Sequence, residues 1–364
     1  MSKNNKRRAK IGFGLPWPQE HARDATGYCA AEMAIEAENK KGDLPFELEL
    51  VLVNDERNQE RARVVAKEFT EDPDAVGIIG PLNSPMCDVS QDIYHQAGIA
   101  QLSSEASSPV LTQRGYENFF RLVANDEYYG KMQARVAVEY LKAKRIAILS
   151  DNTVWGAPIA DVFFTQAEQS GAEIVLYHRF SDDERNLNFD GMVNAVKSCS
   201  ADLIFFAVYW NPAHIIAHQL RYNGVKTPFL GTDALKSYPY LEVPGLDEVP
   251  PYQTFPGADM RIQESARQFF AEFANRYPRS LVNIQYAPEG YDCVGIFAQA
   301  LRRTQRIDRS LVLHEIQSMD EYQGISGTVR FDEKGDIIDP PIGLYRCEDG
   351  LRNYVGSLKD LLTD

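Results

Sequence analysis

Two apolar runs in this chain stop abruptly in hydroxyl residues. One is Val76-Gly-Ile-Ile-Gly-Pro-Leu-Asn-Ser84; the other, one helical stretch later, is Ile99-Ala-Gln-Leu-Ser-Ser-Glu-Ala-Ser-Ser-Pro109. In an open parallel sheet, ligands bind beyond the carboxyl ends of the strands, where the following helices present free N–H groups and positive dipole ends. Serines placed there can hold a small anion. Other groups fall at comparable strand ends: Glu105 to Ser108 within the second run, Trp155 after Leu149-Ser-Asp, Tyr209-Trp210 after Phe205-Phe-Ala-Val, and Asp233 after Phe229-Leu-Gly-Thr. Hydroxyls and amides suit a carboxylate, a carboxylate suits an ammonium, and aromatic rings suit an apolar or cationic side chain. Together they suit a zwitterion. Taken singly, each has an ordinary structural use: Ser84 as a helix cap, Tyr209 as a core residue, Asp233 as a turn residue. Their recurrence at the ends of separate strands is what points to a ligand.

Other chemistries lack their residues. Gly12-Phe-Gly14 ends the first strand, but Trp17 stands three residues on, between Pro16 and Pro18. Bulk and fixed backbone there obstruct the close approach that a dinucleotide loop needs. No Gly-Lys-Ser/Thr follows a glycine-rich turn and no Gly-x-Ser-x-Gly occurs, so nucleotide hydrolysis and a nucleophile elbow have no anchor. No nucleophile–base pair stands out; no catalytic residue and no cofactor are expected. His214 and His218 share a helix face but have no third candidate ligand, so a surface pair is expected rather than a metal site. Cys29, Cys87, Cys199, Cys293 and Cys347 are scattered without metal-ligand or disulfide-framework spacing and read as small buried hydrophobes.

The elements that must position these residues alternate. Strands are expected at 10–14, 46–53, 76–79, 99–103, 145–150, 173–178, 202–208 and 228–231. Helices are expected at 25–39, 58–70, 85–97, 126–142, 156–170, 187–197 and 212–223, on apolar residues at helical spacing. Such alternation means parallel sheets with helices on both faces. The segment 236–258, rich in Pro and Tyr, reads as a crossing between compact units. Helices resume at 263–277 and 288–303, and Thr328 to Asp336 reads as a strand with a turn. Around a dozen strands exceed what one twisted open sheet tolerates, which favours two lobes.

Size agrees, since 364 residues make about two ordinary domains. A formal net charge of −14 argues against duplex nucleic acid as a partner. The longest apolar stretches, such as Leu203 to Trp210, are far below the roughly 20 residues of a membrane span, so a soluble chain is expected. The basic start, Met1 to Lys10, runs into the first strand without the apolar core of a signal peptide; a cytoplasmic chain or a removed leader would both fit.

The sequence resembles the type I periplasmic binding proteins of the leucine/isoleucine/valine-binding class, the solute receptors of branched-chain amino acid transporters. The likeness runs from Ile11 to about Tyr345. It rests on Ile79-Gly-Pro-Leu-Asn-Ser84, Asp92-Ile-Tyr94, Leu111-Thr-Gln-Arg-Gly-Tyr116, Lys144-Arg-Ile-Ala-Ile148 with Trp155-Gly156, Glu289-Gly-Tyr-Asp292, and Gly327-Thr-Val-Arg-Phe-Asp-Glu-Lys-Gly-Asp336. It implies an α/β fold of two doubly wound parallel-sheet lobes joined by three hinge crossovers. Lobe 1 would be 10–124 plus 257–334 and lobe 2 would be 125–256 plus 335–364, with a ligand in the cleft and closure by hinge bending.

Carried over by position, Ser84 and Ser107 match hydroxyls that hold a ligand α-carboxylate, and Asp233 matches the acid that pairs with its α-ammonium. Trp155, Tyr209 and Tyr286 match aromatic walls, Glu20 and Trp17 face the same pocket from the first loop, and Leu82 and Ala106 fall among the lining positions. Two departures stand out. The cysteine pair of branched-chain binders is missing, with Asn83 at one position and none in the segment from Asp55 to Gln59. Glu105 replaces a small residue whose carbonyl meets the ammonium, which opens aliphatic specificity to a polar, basic or aromatic ligand. The implied function is a non-enzymatic receptor for an amino acid or related zwitterion. It would deliver its ligand to an ABC transporter permease from the periplasm or cell surface, touching the membrane complex only peripherally. The alternative is a cytoplasmic amide or amino-acid sensor that regulates a partner protein.

Overall fold

The computed structural model describes residues 7–153, 155–180, 189–236, 242–259, 261–278 and 285–362. The chain opens with β1 (Arg8–Leu15), α1 (Thr26–Lys41), β2 (Glu47–Asn54), α2 (Gln59–Thr70), β3 (Ala75–Ile79) and α3 (Ser84–Gln96). It continues through β4 (Ala100–Ser103), a single turn α4 (Val110–Gln113), β5 (Phe119–Arg121) and α5 (Asp126–Arg135). Next come β6 (Arg145–Asp151), α6 (Gly156–Gln169), β7 (Glu173–Phe180), α7 (Asp190–Ser198), β8 (Leu203–Ala207), α8 (Trp210–Tyr222), β9 (Phe229–Gly231) and β10 (Tyr252–Phe255). Three helices follow: α9 (Arg267–Arg276), α10 (Ala287–Thr304) and α11 (Arg309–Gln317). The chain ends in β11 (Tyr322–Gly324), β12 (Gly327–Val329), β13 (Gly343–Glu348), β14 (Leu351–Ser357) and α12 (Leu358–Leu361). Among the described residues no helix is long and apolar enough to cross a membrane.

Two compact units result, Met1–Asn125 with Gly257–Pro340, and Asp126–Pro256 with Pro341–Asp364. Unit 1 holds a five-stranded sheet in the order β2-β1-β3-β4-β5, all parallel. Strand β1 explains its layering: Ala9, Ile11, Phe13 and Leu15 point to one face and join a core with α1 and α10. Gly12 faces the other way, beneath Phe69 of α2 and Ile78. On the α1 face, the Phe297 ring packs against Gly77 of β3, in space that any side chain there would fill.

Unit 2 holds seven strands in the order β14-β13-β10-β9-β8-β6-β7. Its core follows the same period of two. Ile204, Phe206 and Val208 pack with α7 and α8, while Phe205, facing away, stacks on Phe163 of α6 with ring centroids 3.7 Å apart.

Several expectations change. The Pro-rich segment expected as a mere crossing contains β10, a central strand parallel to β9 and antiparallel to β13. Pro251 and Pro256 bracket Tyr252–Phe255: Pro251 has no N–H to give, but its carbonyl accepts the Cys347 N–H of β13 at 2.8 Å, so the prolines bound a strand instead of preventing one. The strand expected from Thr328 to Asp336 shrinks to Gly327–Val329. Asp332 then accepts from the Lys334 and Asp336 N–H groups and turns the chain. The antiparallel pair β13–β14 makes the second sheet mixed rather than wholly parallel. The helix expected over 126–142 is α-helical only to Arg135 and continues as a π-helical turn, Val136–Tyr140. The chain passes from unit 1 to unit 2 after Pro340, six residues beyond the expected 334. Part of the expected helix 187–197 and the Tyr238-Pro-Tyr stretch lie outside the described residues.

Candidate functional site: strand-end groups in each unit

In unit 1, β3 and β4 end side by side and hand the chain to α3 and to the serine loop 104–108. Ser84 opens α3 behind Asn83, whose side chain makes no cap hydrogen bond. The Ser84 hydroxyl accepts the Ser108 N–H at 3.2 Å, tying the two loops. A hydroxyl that accepts there keeps its own proton to donate, and Ser107 lies half-buried beside it.

A buried arginine holds this loop from below. Arg121, with none of its surface exposed, donates to Ser108 O at 2.9 Å and Ala106 O at 3.3 Å. It also donates to Thr112 Oγ1 at 3.0 Å and through two nitrogens to Asp336 Oδ1, at 2.8 and 2.6 Å. Thr112 and Asn125 donate to the other Asp336 oxygen, each at 3.0 Å, so the ion pair is fully embedded in donors and acceptors. Ala106, carried over as a lining position, is buried, and its carbonyl accepts from both Arg121 and Ser103.

Glu105 leaves the same loop toward the start of α1. Its Oε1 lies 3.7 Å from where a Cβ on Gly27 would sit, and the Tyr286 carbonyl lies 3.2 Å from that point. Tyr286 is buried, in the left-handed region at φ 65°, at the start of α10. There α10 meets α1 backbone to backbone: a Cβ on Gly290 would lie 2.7 Å from Gly27 Cα. Glu289, fully buried on the first turn of α10, accepts the Ala258 N–H through Oε1 at 2.8 Å, while Oε2 has no hydrogen-bond partner among the described residues. Burial, with Asp292 and Glu105 nearby, pushes its pKa up to about 8. Asp292 accepts the Ile325 and Ser326 N–H groups at 2.9 and 2.8 Å and fixes the loop before β12; burial raises it to about 6.

The first-loop residues behave differently. Trp17 packs on the unit 1 core with the Arg57 guanidinium 5.9 Å from its ring centroid. Glu20 is exposed on a 3-10 turn, Gln19–Asp24. Leu82 belongs to the core. Where the resemblance implied a covalent tie, the fully buried Asp55 instead closes its own loop by accepting the Arg57 N–H at 2.9 Å.

In unit 2, Asp151 at the end of β6 is the organiser. It is fully buried and accepts from Thr153 Oγ1 at 2.5 Å and from the Tyr209 N–H at 2.7 Å. That carboxylate joins the loop after β6 to the loop after β8. The joined loops carry Trp155 and Tyr209, whose ring centroids are 5.0 Å apart and tilted by 33°. Gly156 lets them close, since a Cβ there would lie 2.6 Å from Ala207 O and collide with Asp151. Asp233 follows β9 half-buried, and its N–H donates to the Tyr129 hydroxyl at 3.1 Å. Tyr129 is anchored in turn on Thr254 O at 3.0 Å, and burial, with Asp233 nearby, raises its pKa.

The strand-end residues named from sequence thus fall into two local groups. Ser84, Glu105, Ala106, Ser107 and Tyr286 lie in unit 1, with Trp17, Glu20 and Leu82 on its neighbouring segments. Trp155, Tyr209 and Asp233 lie in unit 2. The supporting residues Arg121, Asp336, Asp151 and Tyr129 carry no local sequence signal, because each acts on a partner distant along the chain. Among the described residues no group of three His, Cys, Asp or Glu could hold a metal ion; His218 stacks on Tyr222. All five cysteines are free thiols, and Cys199 is the one less than fully buried.

Known proteins resemble the chain over most of its length. A family model described as periplasmic binding protein matches residues 25–351. A Leu/Ile/Val-binding protein homolog 1 of Brucella abortus is 24% identical over 350 residues, covering 95% of this chain and 92% of that protein. A leucine-, isoleucine-, valine-, threonine- and alanine-binding protein of Pseudomonas aeruginosa is 24% identical over 311 residues, covering 84% and 81%. A solved ABC transporter substrate-binding protein from Desulfitobacterium hafniense, in complex with Leu, superposes with a TM-score of 0.82 at 23% identity, covering 96% of this chain and 100% of that one.

Proposed function

Because the chain belongs to the periplasmic binding protein family, a family of non-enzymatic solute-binding proteins, we propose that it is the substrate-binding receptor of an ABC transporter for α-amino acids, the branched-chain ones first. The observation that carries this reading is the division of chemistry between the two strand-end groups. Unit 1 offers what an α-carboxylate needs: the Ser84 hydroxyl with its proton to give, Ser107, and the start of α3. Unit 2 offers what an α-ammonium and an apolar side chain need: the Asp233 carboxylate, held by its backbone to Tyr129, and the paired rings of Trp155 and Tyr209. The names of the relatives support the branched-chain choice. The family supports a periplasmic or cell-surface location and delivery to a membrane permease.

The mechanism follows from what each group does without chemistry on the ligand. Hydroxyl and amide donors together with a carboxylate distinguish a zwitterion from a simple acid or amine, because either ligand would leave one set unpaired. The binding-competent state is selected by ligand, and that population is what a permease would read.

The test is a thermal-shift and calorimetric series with the common amino acids. Leucine, isoleucine or valine should raise the melting temperature saturably and give binding heat. A full series with neither effect would sink the ligand class.

A further inference from the structure

We infer that Arg121 and Asp336 are positioning residues for the α-carboxylate: they bind the serine loop to the two segments by which the chain leaves unit 1, so that the loop and those segments move as one piece. The inference rests on the amino-acid reading above and assigns its carboxylate side to residues that offer the ligand no atom of their own.

A guanidinium has five N–H bonds, and Arg121 spends all of them inside the protein. Nη1 serves Ser108 O at 2.9 Å and Ala106 O at 3.3 Å, Nη2 serves Thr112 Oγ1 at 3.0 Å and Asp336 Oδ1 at 2.6 Å, and Nε serves Asp336 Oδ1 at 2.8 Å. None of its surface is exposed. What Arg121 does to the site, it does through the loop backbone. A planar trans peptide sets its N–H opposite its C=O, so the Ala106 carbonyl drawn onto Arg121 aims the Ser107 N–H away from the ion pair. The Ser108 N–H goes to Ser84 Oγ at 3.2 Å, so the same short stretch also fixes the second hydroxyl of the site.

The remaining partners lead to the exits from unit 1. Asp336 takes Arg121 on Oδ1 and, on Oδ2, the Thr112 hydroxyl and the Asn125 amide, each at 3.0 Å. Asn125 is the last residue of unit 1 before the chain leaves it, and Asp336 lies four residues before Pro340, where the chain leaves again. Backbone bonds reinforce the side chains. The Arg121 N–H donates to Gly335 O at 2.8 Å, Arg121 and Asp336 form a parallel bridge, and the Leu122 N–H donates to Ser103 O at 2.9 Å. Serine loop and both exits therefore share one buried ion pair. Its two charges stay together because either alone would be stranded in the interior. A shift at Asn125 or at Asp336 is then a shift of Arg121, and a shift of Arg121 turns the Ala106 and Ser108 carbonyls.

Asn125→Ala and Thr112→Val test the coupling, since each removes one donor to Asp336 and leaves both serines, Arg121 and Asp336 in place. In the ligand-free protein, hydrogen exchange of the amides 104–108 should quicken about threefold to tenfold in both variants, while exchange in β1 stays as in the wild type. Affinity for leucine relative to leucinamide, measured by calorimetry at about pH 6, where both ligands carry the ammonium, should fall about threefold to tenfold. A merely structural loss would weaken the two ligands alike and leave their ratio unchanged. Asp336→Asn separates position from charge: it should lower the ratio further, whereas a carboxylate read directly by the Arg121 charge would raise it. Three results overturn the inference: wild-type exchange at 104–108 in either Asn125→Ala or Thr112→Val, a ratio unchanged in both, or a ratio raised by Asp336→Asn. If Asp336→Asn does not fold, the other two variants decide; if leucinamide binds too weakly to measure, exchange decides. If no amino acid binds the wild type, the proposed function fails, and exchange at 104–108 still judges the coupling.

Discussion

Arg121 carries a full charge with none of its surface exposed, and it survives there because Asp336, Thr112 and two backbone carbonyls use its donors. Removing one partner of such a pair strands the other, which costs about 3–5 kcal/mol. Asp336→Ala should therefore cost that much in urea denaturation and weaken ligand binding through the serine loop; a loss under about 1 kcal/mol would contradict the pairing. Glu289 makes the opposite kind of prediction. Burial lifts its carboxyl from the ordinary 4.5 to about 8, so between those values the folded protein holds a proton that the unfolded chain has released. The stability this group contributes is complete below about pH 4.5 and is lost as pH rises through about 8. Glu289→Gln should thus gain on the wild type progressively from about pH 5 to 8 and level off above that. Urea midpoints across pH measure the difference, in which Asp292, common to both proteins, cancels. A difference that stays flat with pH would remove the case for a neutral Glu289.

At the scale of elements, the loops after β6 and β8 are one construction. Asp151 bonds both, and Gly156 makes room for it. Gly156→Ala should destabilise by about 2–4 kcal/mol, as overpacking against backbone and a buried carboxylate does, and should part the Trp155–Tyr209 pair. Denaturation reads the first effect and the near-ultraviolet aromatic signal the second. Strand ends of this kind were legible in the sequence wherever an apolar run met a polar residue, and that is how Ser84, Trp155, Tyr209 and Asp233 emerged. In the segment before α9 the prolines hide a strand: Pro251 and Pro256 signal breaks, whereas Tyr252–Phe255 needs only four residues between them to join the sheet. Arg121 could not be seen, since its strand β5 is three residues long and its partner lies 215 positions away. The direction of the Glu105 side chain is equally hidden: the sequence places it among serines, while Gly27, whose Cβ position lies 3.7 Å from its Oε1, belongs to a helix some eighty residues earlier.

At the scale of the molecule, each unit has its own sheet and its own core. A ligand that binds only the folded protein stabilises it by about 2.7 kcal/mol at one hundred times its dissociation constant. The melting temperature should therefore keep rising with the logarithm of leucine concentration well past half-saturation; a plateau at stoichiometric ligand would contradict specific binding to the native state. The pairing of Arg121 with Asp336 also sets an order of events during synthesis. A ribosome adding roughly 5–20 residues per second needs on the order of 10–40 s to travel from one to the other. For that interval the nascent first unit holds a guanidinium with no carboxylate to receive it, and the serine loop has no floor. Ligand affinity should therefore arrive late, with the last segment of unit 1, so a nascent chain stalled before Asp336 would be blind to the amino acid even with every contacting serine already made.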